Sequence, residues 1–204
     1  MNKKLAFFLL PFFIFLTLTF FLLKGLFSDP RERESALIGK PLPEFQLIDL
    51  MEPNKVWTDK ELLGEPVLLN VWAEWCPTCN EELGFLTELR ERGVKIVGVY
   101  YLNDIDPDFG DKVDLPRIQA VVQEKLTNRG NPYQYNMLDT HRSLILDLGV
   151  DGAPETFFID AKGVIRFHHK GDINQRNWRT KFADIYRELD ETSIATINTT
   201  NASL

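Results

Sequence analysis

Apolar and polar residues are distributed in several distinct rhythms along the chain. From Leu5 to Leu23 no residue is charged, and phenylalanine and leucine dominate, with Lys3 and Lys4 ahead of the run and Lys24 behind it. At helical rise such a run spans roughly 28 Å, enough to cross a bilayer core. We expect residues 1–24 to form an uncleaved membrane anchor. The competing reading is a cleaved signal peptide, but its apolar region is usually shorter, and no clear Ala-x-Ala site follows Leu23. Lys3 and Lys4 would stay in the cytoplasm and send the rest of the chain outward. Residues 25–40 carry Asp29, Arg31, Glu32, Arg33 and Glu34 with few apolar anchors, and read as a linker.

Beyond Pro41 the pattern is that of a folded domain, expected over residues 41–190. Phe45–Leu50 alternates as a strand, and Lys55-Val56-Trp57 pairs with it as a short hairpin. Thr58 is placed to cap a short helix, Asp59–Leu63. Val67–Trp72 is a mostly apolar, β-type run of the kind buried on both faces. A helical stripe follows, with Leu83, Leu86 and Leu89 on one side and Phe85 beside it, ended by Gly93. Val94–Tyr101 is a second buried strand, so this strand–helix–strand unit implies a parallel pair with a right-handed crossover.

Asn103–Asp114 is an acidic, turn-rich loop, and Asp114 can cap a helix over Leu115–Asn128 with Ile118, Val121, Val122 and Leu126 on one side. Met137-Leu138 belongs to a short strand, and Asp139 can cap a helix over Thr140–Leu148. Thr156–Ile159 and Val164–His168 flank Asp160-Ala161-Lys162-Gly163 as a hairpin. Asn174–Leu189 is a final helix with Trp178, Phe182, Ile185, Tyr186 and Leu189 inward. Residues 191–204 are expected to be a disordered tail.

Composition changes this picture in two ways. The net charge is −7, which disfavours nucleic acid as a partner. The chain has only two cysteines, Cys76 and Cys79, separated by Pro77 and Thr78 where the buried run gives way to the helix. Unpaired N–H groups and the positive end of the helix dipole favour a thiolate there. Cys76 should therefore have a lowered pKa, within the range of about 3.5 to 7.5 known for such sites. Cys79, one turn further in, should be more shielded. The expected division is nucleophile at Cys76 and resolving thiol at Cys79, with a redox disulfide between them.

Three other readings compete. A structural disulfide over two intervening residues would restrain little of the unfolded chain. A structural zinc site would need four ligands; there is no second cysteine pair, and His141, His168 and His169 lack a usual spacing. Two inert buried thiols fit poorly with the strand-to-helix context. No metal and no cofactor is expected.

Val71-Trp72-Ala73-Glu74-Trp75-Cys76-Pro77-Thr78-Cys79 resembles the active-site segment of the thioredoxin superfamily. Together with Gly152-Ala153-Pro154-Glu155-Thr156-Phe157, and with Glu34–Pro41 and Gly130-Asn131-Pro132-Tyr133, it resembles the DsbE/CcmG branch. These are membrane-anchored thiol:disulfide interchange proteins of cytochrome c biogenesis. The resemblance runs from about Glu34 to about Tyr186. It implies a thioredoxin-like α/β fold, with a central mixed sheet flanked by helices, an N-terminal β-extension and an N-terminal transmembrane helix.

It also implies a cis Pro154 facing the cysteines, with the backbone of Ala153 open to an extended substrate and Trp75 offering apolar surface. Tyr133 is either a core residue or part of the binding rim; the resemblance favours closeness to the active site. Glu155 and Glu82 would line the site and handle protons, or else be solvated surface carboxylates. Asn70 stands where thioredoxin has a buried aspartate, and reads as a hydrogen-bonded core amide.

The implied function is a periplasmic reductant, held at the bacterial inner membrane by a single span. Its client would be apocytochrome c or its maturation factors, and its electron donor a membrane thiol transporter of the DsbD/CcdA type. The alternatives are an anchored reductase with other or broad clients, a non-catalytic apocytochrome adaptor, and a copper-delivery protein. The last would need a suitably placed histidine and usually three residues between the cysteines.

Overall fold

In the computed structural model, residues 3–26, 35–102 and 112–191 are described, the side chains of the first stretch only over residues 9–23. The chain divides into two compact units, Met1–Arg33 and Glu34–Leu204. The first contains one helix, α1 (Lys3–Leu26), with Pro11 inside it. Thr17 Oγ1 donates to the Phe13 carbonyl, satisfying its hydroxyl within the helix. Among the described residues no helix is long and apolar enough to cross a membrane. Gly25 and Leu26, expected in the linker, belong to α1. The tail over 192–204 and most of the loop after Leu102 lie outside the described residues.

The second unit is built on a seven-stranded mixed sheet of order β2-β1-β5-β4-β3-β6-β7. Its strands are β1 (Gln46–Asp49), β2 (Val56–Thr58), β3 (Val67–Trp72), β4 (Lys95–Tyr100), β5 (Asn136–Leu138), β6 (Glu155–Ile159) and β7 (Ile165–Lys170). β3 runs parallel to β4 and antiparallel to β6. β1 and β2 are the expected N-terminal extension, joined to the sheet through β5. The helices are α2 (Pro77–Glu91), α3 (Leu115–Arg129), α4 (Ser143–Asp147) and α5 (175–191), the last with a π turn at Trp178–Phe182.

Every residue of β3 is buried. Its alternation divides the core, because successive side chains leave a strand on opposite faces. Leu68 and Trp72 join Leu83, Leu86 and Leu89 of α2, Phe158 of β6 and Phe182 of α5. Leu69 and Val71 join Val97, Val99, Leu144, Leu148, Phe157 and Ile159 on the other face. Each fully buried large aliphatic side chain contributes roughly 1.5–3 kcal/mol, so the strand carrying the chain to Cys76 is anchored by packing on both faces.

Several expectations are adjusted. Residues 35–40 are not free linker. Gly39 N–H donates to the Ile165 carbonyl, Ile165 N–H to that of Lys40, and Leu42 N–H to that of Gly163. Leu37 packs on the core, so this segment lines the β7 edge of the hairpin. α4 begins at Ser143 rather than Thr140, because Arg142 takes a left-handed φ of 56°. The Asp139 carboxylate still holds the entry, accepting from the N–H groups of Ser143 and Ile145. Val121 faces outward, whereas Val122 and Leu126 are buried.

Candidate active site

β3 ends at Trp72, and a short bend brings the chain to Cys76, the N-cap of α2, with Pro77 at the first helical position. Proline suits that position because its absent N–H would have had no partner. Cys76 Sγ accepts from Cys79 N–H at 3.1 Å. The two sulfurs are joined as a disulfide. Cys76 is 3 % exposed and Cys79 0 %, so Cys76 is the sulfur nearer to solvent. When the pair is reduced, the same N–H and the helix N-terminus favour a thiolate at Cys76.

Facing the pair is the loop ahead of β6. Its Ala153–Pro154 peptide bond is cis. The Ala153 carbonyl oxygen lies 3.3 Å from Cys76 Sγ. The structure thus brings Cys76, Cys79, Ala153 and Pro154 together. Trp75 is 44 % exposed beside them and packs against Tyr101 at a ring separation of 6.0 Å. Tyr101 had no signal of its own in the sequence beyond ending a buried strand. Glu74, which precedes Trp75, accepts from the Tyr100 hydroxyl, and burial with this carboxylate holds the phenol well above its usual range.

Beneath the cysteines lies a buried polar cluster. Asn70 Nδ2 donates to Glu82 Oε1 and to Thr156 Oγ1, each at 3.0 Å. Glu82 Oε2 accepts from Ile173 N–H at 2.9 Å. Burial pushes the Glu82 carboxyl up to about 8; the bonds from Ile173 and Asn70 oppose this, and Asp172 adds to it. Glu82 lies one turn beyond Cys79 on α2, and both are buried. A carboxyl titrating near 8 in that place can hold or release a proton under physiological conditions.

Tyr133 belongs to this cluster and not to a binding rim. It is 3 % exposed, stacks on Trp72 at 5.0 Å and donates its hydroxyl to Asn70 Oδ1 at 2.7 Å. Burial and the neighbouring Glu82 hold its phenol well above the ordinary range.

Glu155 is placed differently again. It is neither solvated nor turned toward the cysteines. Thr156 points to Asn70 on the α2 face, so its neighbour in the strand points to the other face. There Glu155 Oε1 accepts from the N–H groups of Asp151 and Gly152 at 3.0 and 3.2 Å, and Oε2 bonds His168 Nε2 at 2.6 Å. His168, absent from the expected site, is the partner that sequence reading missed. Strand alternation was the available signal for Glu155; the register of His168 depends on a bulge at Phe158/Ile159. Among the described residues no three His, Cys, Asp or Glu side chains gather as a metal site.

A mixed sheet presenting a Cys-x-x-Cys disulfide at a helix N-terminus, faced by a cis-proline loop, defines a thiol:disulfide oxidoreductase of the thioredoxin-like class. The Redoxin family model matches residues 37–189. The chain is 44 % identical over 199 residues to the thiol:disulfide interchange protein DsbE of Vibrio cholerae, covering 93 % of this chain and 97 % of that one. To DsbE of Escherichia coli K12 it is 41 % identical over 197 residues, covering 94 % and 98 %. The chain belongs to the DsbE family of thiol:disulfide interchange proteins. Among solved structures, the fold is shared with a secreted Mycobacterium tuberculosis disulfide oxidoreductase, at 20 % identity and a TM-score of 0.52, covering 69 % of this chain and 95 % of that one. It is also shared with the exposed lipoprotein thioredoxin Etrx1 of Streptococcus pneumoniae, at 22 % identity and a TM-score of 0.51, covering 72 % and 100 %.

Proposed function

We propose that this oxidoreductase is a reductant in cytochrome c maturation. Helix α1 anchors it in the bacterial inner membrane and the domain works in the periplasm. Cys76 thiolate attacks a partner disulfide and expels one partner sulfur as a thiolate. Cys79 then attacks the Cys76 sulfur, releases the second partner thiolate and leaves the pair oxidised. Glu82 accepts the Cys79 proton in the second step. Electrons return from a membrane thiol transporter of the DsbD/CcdA type. The client is the haem-binding cysteine pair of apocytochrome c, or a maturation factor that carries it. Extended client backbone docks at Ala153, with Trp75 as apolar support.

The observation that carries the chemical part is the arrangement of Cys76 Sγ between Cys79 N–H at 3.1 Å and the Ala153 carbonyl at 3.3 Å. Likeness to DsbE relatives over nearly the whole chain supports the client class. The test is a Cys79→Ser chain expressed in the membrane, with adducts on Cys76 identified by mass spectrometry under non-reducing conditions. Apocytochrome c or its maturation factors are the expected catch. A broad set of unrelated periplasmic proteins would instead make this a general reductase. No adduct would remove the exchange step.

A further inference from the structure

We infer that Glu155 and His168 are positioning residues that set the cis-proline loop against Cys76 from the far face of the sheet. The assignment rests on the oxidoreductase chemistry already described and concerns the loop that faces the sulfur.

The loop of Asp151, Gly152 and Ala153 has two sides. On one, the Ala153 carbonyl lies 3.3 Å from Cys76 Sγ. On the other, two successive N–H groups, those of Asp151 and Gly152, converge on Glu155 Oε1. A single carboxylate oxygen thus ties down the backbone immediately before the residue that meets the sulfur. Two donors converging on one acceptor fix the direction of the backbone that carries them.

The carboxylate is itself fixed. Glu155 is 2 % exposed, and its second oxygen takes a 2.6 Å bond from His168 Nε2. The His168 ring cannot swing away, because it stacks on Phe157 at 4.0 Å with the planes 13° apart. Lys170, opposite Glu155 in the hairpin, places Nζ 3.6 Å from Oε1 and 2.6 Å from Asp151 Oδ2. The chain of contact runs from Phe157 through His168 and Glu155 to Gly152, and so to Ala153. Every link is made by strand neighbours of β6 and β7 or by the loop itself. Buried polar groups are kept where their hydrogen bonds are complete, and here the loop backbone supplies two of the bonds to Glu155.

This gives Glu155 a different job from proton transfer. A proton carrier must reach the sulfurs, whereas Glu155 faces the other side of the sheet. A positioning role needs an acceptor at Oε1 and a fixed orientation, which an uncharged amide also supplies.

The test uses the full chain in detergent micelles and two oxidised probes: an extended peptide containing a disulfide, and a small aryl disulfide with no backbone to dock. Glu155→Ala and His168→Leu release the loop. Each is expected to slow reduction of the peptide at least about tenfold more than reduction of the aryl disulfide, in line with the cost of misplacing a reacting group. Glu155→Gln keeps the acceptor, and His168→Gln keeps a donor to Glu155. Both are expected to recover most of the peptide rate. Equal slowing of the two probes, or no slowing of the peptide, overturns the assignment. So does a Glu155→Gln chain as impaired as Glu155→Ala, which would return Glu155 to a charge or proton role. If Glu155→Ala does not fold, the comparison of His168→Leu with His168→Gln decides in the same way.

Discussion

Tyr133 donates its hydroxyl to Asn70 Oδ1 at 2.7 Å, and this bond turns the amide so that its NH2 group faces Glu82 and Thr156. An amide has two acceptor and two donor sites. The phenol selects which end looks at the acid. Tyr133→Phe removes the donor while leaving the ring on Trp72. The buried amide oxygen then lacks its partner, and the domain is expected to lose about 1–3 kcal/mol. Guanidinium unfolding curves of the two proteins, compared at equal slope, measure it.

Glu82 makes stability depend on pH. In the unfolded chain its proton leaves near 4.5, and in the folded domain near 8. Its folded value is raised, so its contribution is fully present below pH 4.5 and is lost as pH rises through about 8. Over that window the wild-type chain should lose roughly 3–5 kcal/mol through this group. Glu82→Gln should lose far less. Melting temperatures recorded at intervals from pH 4.5 to 8.5 will converge toward acid and separate toward base. Parallel curves would show that Glu82 does not titrate in this range.

Gly98 allows the polar cluster to close. A Cβ there would sit 2.2 Å from Asn136 Oδ1 and 3.0 Å from the Tyr133 ring. Asn136 Oδ1 already accepts from Trp72 Nε1 at 3.0 Å, so it cannot withdraw without losing that bond. Gly98→Ala is expected to cost about 1–3 kcal/mol as an overpacked core. Urea denaturation with a Trp fluorescence readout will show the loss.

Trp75 is the opposite case, with much of its surface unburied in the domain. Trp75→Ala should leave the unfolding free energy within about 0.5 kcal/mol. If client backbone docks at Ala153 as proposed, the same change should raise the KM for an oxidised client peptide several-fold, because it removes an aromatic anchor. Stopped-flow reduction at varied peptide concentration separates the two effects. An unchanged KM would place the client elsewhere.

The central strand, the cysteine helix with Pro77 at its start, and the final hairpin were legible because each is encoded locally. An apolar run, a cap and a turn are complete within a few residues of the chain. Asn70 was correctly a core amide, but its partners come from α2, β6 and the segment before β5, and no local pattern names them. Tyr133 shows the same limit: a tyrosine after a Gly-Asn-Pro turn fits a rim as well as a core, and only the position of Trp72 decides. Glu155 was misplaced for a simpler reason. The resemblance set Glu155 beside the sulfurs, whereas alternation along β6 sends the side chain before Thr156 to the other face. The extent of the domain was underestimated because residues 35–40 are held by backbone bonds, which leave no trace in side-chain chemistry.

Those backbone bonds also give the domain two poles. Residues 39–42 are sewn to Gly163 and Ile165, beside the hairpin turn, and Ile159 at that end pairs with Val67, the first residue of β3. Cys76 lies past the last. The six residues of β3, at about 3.3 Å each, put roughly 20 Å between entry and sulfur. The chain therefore enters its domain at the stern and does its chemistry at the prow. Within the domain, the bonds that fasten its first residues and the sulfur that does its chemistry are held apart by a strand buried along its whole length.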